Sequence, residues 1–224
     1  MGYRLGNQEI ELSNLKKINF TPSTKAGDVY RYKNMAIRVF RDGEEPIDKQ
    51  TADYFTRIST ARILLPRQLL IYNSSLFKGY SMKLVTQKGS GKRITIAPKR
   101  ELIEGVAALE RDNETLSQKK VLLNGINPGY VLYNGEIYLV NPAGYSRLEL
   151  GNTKSLEKLN QFQIHLLITE LIASDLRKSR VPQATINEVK KLLSLKDMDE
   201  RTSSFLIELL RGQENVKELV KKMS

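Results

Sequence analysis

Over the first third of the chain apolar and polar residues alternate with a period of two, the mark of half-buried strands. Gly27 to Tyr32 sets Val29 among polar neighbours, Lys33-Asn34 reads as a turn, and Met35 to Phe40 follows. In that second strand Ile37 and Val39 share one face, and Ala36, Arg38 and Phe40 the other. Arg41-Asp42-Gly43 closes it as a turn, so a β-hairpin is predicted. The period then changes. Ala52, Phe55 and Ile58 recur at helical spacing and predict a helix over 47–61. Pro46 sits near its start, where a missing N–H costs nothing, and Pro66 is its expected stop. Two further strands, Gln68 to Tyr72 and Lys78 to Val85, flank an Asn73-Ser74-Ser75 turn.

A Gly-, Ser- and Lys-rich stretch over 86–98 interrupts the pattern and reads as a connector. Beyond it the spacing is mainly helical. Arg100 to Leu116 carries an apolar stripe through Leu102, Val106 and Leu109 with charges opposite. Val121 to Leu123 is a short strand, followed by a loop and then by Tyr130–Tyr133 and Ile137–Val140 around Asn134-Gly135. Asn-Gly between apolar runs is the strongest short-range hairpin signal. Leu159 to Leu176 is apolar nearly all round and predicts a buried helix. Asp199 to Leu210, closed by Arg211-Gly212, and a last amphipathic helix through Val216, Leu219, Val220 and Met223 complete the chain. The expected class is α+β. A small antiparallel sheet with one helix (1–85) leads through a basic connector (86–99) to a mainly helical part carrying a hairpin (100–224), a single domain overall.

Charge and composition narrow the chemistry. The 224 residues carry a formal net charge of +11, which favours phosphate-bearing or otherwise anionic partners. The densest basic stretch offers Lys88, Lys92, Arg93, Lys99 and Arg100 as candidate nucleic-acid contacts. Gly91-Lys92 suggests a phosphate-binding loop, but Thr86 stands where that motif needs glycine and Arg93 where it needs Ser or Thr. With no cysteine and His165 as the single histidine, thiolate chemistry, histidine triads and multi-histidine metal sites are excluded. No apolar run approaches the roughly 20 residues of a membrane span, and no signal-peptide core opens the sequence, so a cytoplasmic location is expected.

Three segments carry a resemblance. Ala36 to Phe40, AIRVF, is similar to the third-strand V-A-I-K motif of protein kinases. FKGYSMKLV resembles the strand leading into the kinase hinge, and INPGYVLYNGEIYLVNP resembles the catalytic loop and metal strand of bacterial kinase-like proteins. The match spans about residues 25 to 145. It implies a two-lobed, protein kinase-like fold: a small antiparallel β-sheet N-lobe with one helix and a mainly helical C-lobe with a β-hairpin.

The slots that carry kinase chemistry are changed. Arg38 stands in the phosphate-binding lysine slot, Gly125 in that of the catalytic aspartate, Tyr130 in that of the loop asparagine, and Asn141 in that of the metal aspartate. The glutamate slot on the small-lobe helix falls near Thr56, with Asp53 one turn earlier, and the glycine-rich loop is reduced to Thr21–Gly27. General-base and metal-binding roles need groups this loop no longer offers, so the resemblance implies a pseudokinase acting as a binding or regulatory scaffold, its partner another protein. No catalytic residue, metal site or cofactor is expected. Should ATP bind, it would do so without magnesium, through Arg38, Thr24, Lys25 and Gly27. Two alternatives stand beside this reading: an atypical phosphotransferase using displaced groups such as Asp28, Asp53 or Asn127, and a basic nucleic-acid-binding module. Arg38 is read either as an exposed strand residue or as a remnant contact to phosphate or an acidic group. Tyr130, Tyr133, Tyr138 and Tyr145 are read as packing groups, and His165 as a satisfied core or interface histidine.

Overall fold

The computed structural model describes residues 2–18, 27–85, 99–124, 126, 128–140 and 142–178. The connector over 86–98 and the two helices expected after residue 199 lie outside the described residues. The rest is an α+β fold. The strands are β1 (Tyr3–Leu5), β2 (Gln8–Ile10), β3 (Lys16–Lys17), β4 (Gly27–Tyr32), β5 (Met35–Phe40), β6 (Gln68–Tyr72) and β7 (Leu76–Lys83), with helix α1 (Lys49–Thr56) between β5 and β6. After them come α2 (Lys99–Gln118), β8 (Val121–Leu123), β9 (Val131–Tyr133), β10 (Ile137–Leu139), β11 (Tyr145–Arg147) and α3 (Thr153–Lys178).

The first seven strands form one antiparallel sheet in the order β2-β1-β6-β7-β5-β4-β3. The alternation read from β5 holds. Ile37 lies on one face with Leu5, Ile10 and Leu70, while Ala36 and Phe40 lie on the other with Tyr80, Met82 and the main core. The first face is closed by the turn after β2 through Leu12 and Leu15, so this sheet is buried on both sides. The hairpin β1–β2 turns tightly through Gly6, at φ +57°, and Asn7, a two-residue connection of the kind that Gly-Asn between alternating runs specifies. At Gly79 the sheet requires glycine: a Cβ would stand 1.9 Å from the Arg38 carbonyl oxygen on the neighbouring strand.

Helix α1 is shorter than its predicted span of 47–61. Asp48 caps its start, accepting from the Thr51 N–H at 2.8 Å and from the Thr51 hydroxyl at 2.6 Å. Ala52, Phe55 and Ile58 are buried as the spacing implied. The helix stops ten residues before Pro66, because the backbone beyond it bonds elsewhere. The N–H groups of Ala61, Arg62 and Ile63 donate to the Asp112 carboxylate on α2 at 3.0, 2.6 and 2.8 Å. On its other side the same segment bonds to β10: the Leu64 N–H donates to the Leu139 carbonyl at 2.7 Å and the Leu139 N–H to the Arg62 carbonyl at 2.9 Å.

The remaining strands pair in two small ribbons, β9 with β10 and β11 with β8. The hairpin predicted around Asn134-Gly135 is present: Tyr133 pairs with Ile137, and Asn134, Gly135 and Glu136 connect the strands. Helix α2 packs against this hairpin at Gly105, where a Cβ would come within 2.7 Å of Ile137 Cδ1. Helix α3 begins earlier than predicted, with Asn152 Oδ1 accepting from the Lys154 and Ser155 N–H groups. Nor is it buried all round: Leu156, Ile164, Leu167 and Ile168 are inside, while Leu159 is 46% exposed and Phe162 only partly covered. Buried amides fasten it to the core. Asn160 accepts from the Leu123 N–H at 2.8 Å and donates to the Val121 carbonyl at 2.9 Å, and Asn113 of α2 donates to the Glu157 carbonyl at 2.9 Å.

Candidate functional site

Of the residues singled out as kinase slots, Arg38, Gly27 and Tyr130 are described; Thr24, Lys25, Gly125, Asn127 and Asn141 lie outside the described residues. Arg38 sits mid-strand on β5, opposite Tyr80 of β7 and Val29 of β4. It is 0% exposed, which corrects its reading as an exposed strand residue. Period-two alternation put its side chain on the core face; only the seventh-strand neighbour reveals what waits there. Burial pushes the Tyr80 phenol up, and the nearby Arg38 charge pulls it partly back. Tyr145, at the start of β11, is also buried, and its phenol is raised by desolvation and further by the nearby Tyr80. The strand cation is therefore enclosed beside the Tyr80 phenol, which itself lies near the buried Tyr145.

Gly27 opens β4 opposite Phe40, two residues along β5 from Arg38. A Cβ there would lie 2.2 Å from the Val39 carbonyl oxygen, so close strand approach accounts for the glycine. Thr56, at the helix glutamate slot, is the last residue of α1, and its hydroxyl donates to the Asp53 carbonyl at 2.7 Å. The Asp53 carboxylate is engaged by Arg57 one turn on at 2.5 Å, and Asp28 by Lys17 at 2.8 Å. Tyr130 ends a helical turn and its carbonyl accepts from the Val140 N–H at 3.0 Å, closing the base of the hairpin. Tyr133, Tyr138 and Tyr145 are buried packing groups. His165 is 4% exposed with Nε2 2.8 Å from Glu110 Oε1, a satisfied core histidine; its hydrogen bond is the first cause that holds the Glu110 carboxyl below its usual pKa. Among the basic candidates, Lys99 and Arg100 open α2, while Lys88, Lys92 and Arg93 lie outside the described residues.

The strongest polar constellation was not singled out from sequence. Arg62 bonds through its guanidinium to Glu136 and to the Tyr138 hydroxyl, and stacks over the Tyr138 ring at 4.9 Å. Glu136 also accepts from that hydroxyl, and these two donors hold its carboxyl down to about 2. On the far side the Arg62 N–H reaches Asp112. A signal for Asp112 existed: it follows Val106 and Leu109 at helical spacing on the apolar stripe, where a carboxylate needs buried donors.

Beside this clasp lies a cleft of about 320 Å³, lined by the end of α1, the following loop, the approach to β6 and the end of β7. Its apolar lining residues are Ile58, Leu64 and Leu65, and its charged ones are Arg57, Arg67 and Lys83. Among the described residues no three His, Asp or Glu side chains converge as metal ligands, and no helix is long and apolar enough to cross a membrane. No family model matches the chain, and no curated protein matches it either.

Proposed function

We propose that the chain is a kinase-like protein without ordinary phosphotransfer, acting as a binding or regulatory scaffold. Support for the kinase-like arrangement comes from the succession β4–β5, α1, β6–β7, α2, loop, β9–β10, α3, which follows the order that the sequence motifs imply. The observation that carries the loss of chemistry is Arg38. A strand cation that holds nucleotide phosphates must be reachable from solvent; this one is wholly enclosed, paired across the sheet with Tyr80. Arginine is also bulkier than lysine and presents a planar fork in place of a point charge. In this reading the interior of the site is filled by side chains, and its rigidity serves to present surfaces to another protein.

Calorimetric titration of the full chain with ATP, with and without magnesium at low salt, tests the reading. The expected result is no magnesium-dependent binding. Tight binding that requires magnesium would overturn it and favour an enzyme built on displaced groups such as Asp28 or Asp53. Magnesium-independent binding that is lost in Arg38→Ala would identify a residual nucleotide site at the strand cation.

A further inference from the structure

We propose that the cleft between α1 and the β6–β7 pair is a binding site for a small phosphate-bearing anion, held by Arg57, Arg67 and Lys83. The three cations come from separate elements: Arg57 caps the end of α1, Arg67 precedes β6, and Lys83 ends β7. No carboxylate is among the lining residues. Asp53 pairs with Arg57 and the Lys83 charge is felt by the Glu136 carboxylate, whereas Arg67 forms no ion pair among the described residues. Bringing such charges to one concave wall is unfavourable unless an anion joins them, and the effect is strongest where the wall is low in dielectric. Ile58, Leu64 and Leu65 supply the apolar part of that wall.

The frame is rigid where it matters. The Arg67 N–H donates to the Ser81 carbonyl at 2.8 Å, fixing that backbone to β7. The Lys83 ammonium stands 5.0 Å from the Tyr138 ring centroid, the same ring that carries Arg62. The hydroxyls of Thr56 and Thr60 are spent on the Asp53 and Ile63 carbonyls, so Ser59 is the hydroxyl left to donate to a ligand. Two guanidinium forks, an ammonium and one hydroxyl suit the several oxygens of a phosphate better than a single carboxylate. The volume, at the small end of ligand sites, suits a small phosphorylated molecule. Arg38 does not line the cleft, so this site stands apart from the strand-cation position.

The test is calorimetric titration of the full chain with pyrophosphate and, separately, phenyl phosphate at fixed low salt. Saturable binding is expected, weakened about tenfold or more by Arg67→Gln combined with Lys83→Gln, since charge-assisted bonds are lost. Both positions are partly open to solvent, and circular dichroism checks that the variant remains folded. Lys49→Gln removes an exposed charge outside the cleft and should change affinity by less than about twofold. No saturable binding at millimolar pyrophosphate, or equal weakening by Lys49→Gln, would overturn the proposal. A phosphoserine peptide that binds where pyrophosphate does not would overturn it in favour of a protein ligand.

Discussion

Glu136 is the only acidic side chain between Gly125 and Tyr145, where a phosphoryl-transfer loop would carry its carboxylates. Its carboxylate is committed to Arg62 and the Tyr138 hydroxyl, which makes it a fastening of the hairpin to the loop after α1. Those donors lower its folded pKa to about 2, below its unfolded value. Its stabilising contribution is therefore complete above about pH 4.3 and lost as pH falls from there toward 2. Glu136→Gln should be less stable than the parent at neutral pH, by less than about 1 kcal/mol because the group is half exposed and screened. In urea titrations across pH the difference should close below about pH 4. A difference unchanged down to pH 2 would mean that the carboxylate charge plays no part in the fastening.

The segment 61–64 between α1 and β6 is clasped on one side by α2 and on the other by β10. Asp112 is 6% exposed and serves three backbone donors. Asp112→Ala would strand those donors, so a loss of roughly 3 kcal/mol or more is expected in chemical denaturation, with Asp112→Asn intermediate. A loss below about 0.5 kcal/mol, the scale of an ordinary surface change, would contradict this account of the clasp. Much of the element pattern was legible beforehand. The β4–β5 hairpin fell where alternation put it, and α2 where its stripe ran, because both signals are local. The end of α1 was not legible, since a carboxylate 51 residues away captures the backbone there. Strands β1 to β3 and β11 were missed for related reasons. Each is three residues or fewer, too short for periodicity, although Gly6-Asn7 carried a usable turn signal. At the candidate site, alternation grouped Arg38 with Ala36 and Phe40 on one face, while its full enclosure depends on packing between strands that a local pattern does not carry.

For the molecule as a whole, the main core draws from both halves of the chain: Phe55, Ile63 and Tyr80 join Leu109, Leu123 and Ile164 in one cluster. Tyr54 adds to the connection, donating its hydroxyl to the Lys119 carbonyl at 2.7 Å while Arg147 stacks on its ring at 4.3 Å. A shared core of this kind unfolds as a unit. Thermal melting followed by far-ultraviolet circular dichroism and by tyrosine fluorescence should therefore give coincident single transitions. Two separated transitions would mean that the sheet and the helical part are independently stable.

The large sheet also has two ends. One is β3, two lysines long, and the other is β2, where Gln8 and Glu9 face solvent. An open strand edge is a template on which another chain can add itself, and short, charged borders make that addition costly. Among the described residues, both ends of the seven-stranded sheet thus work against copies of the chain zipping onto one another edge to edge.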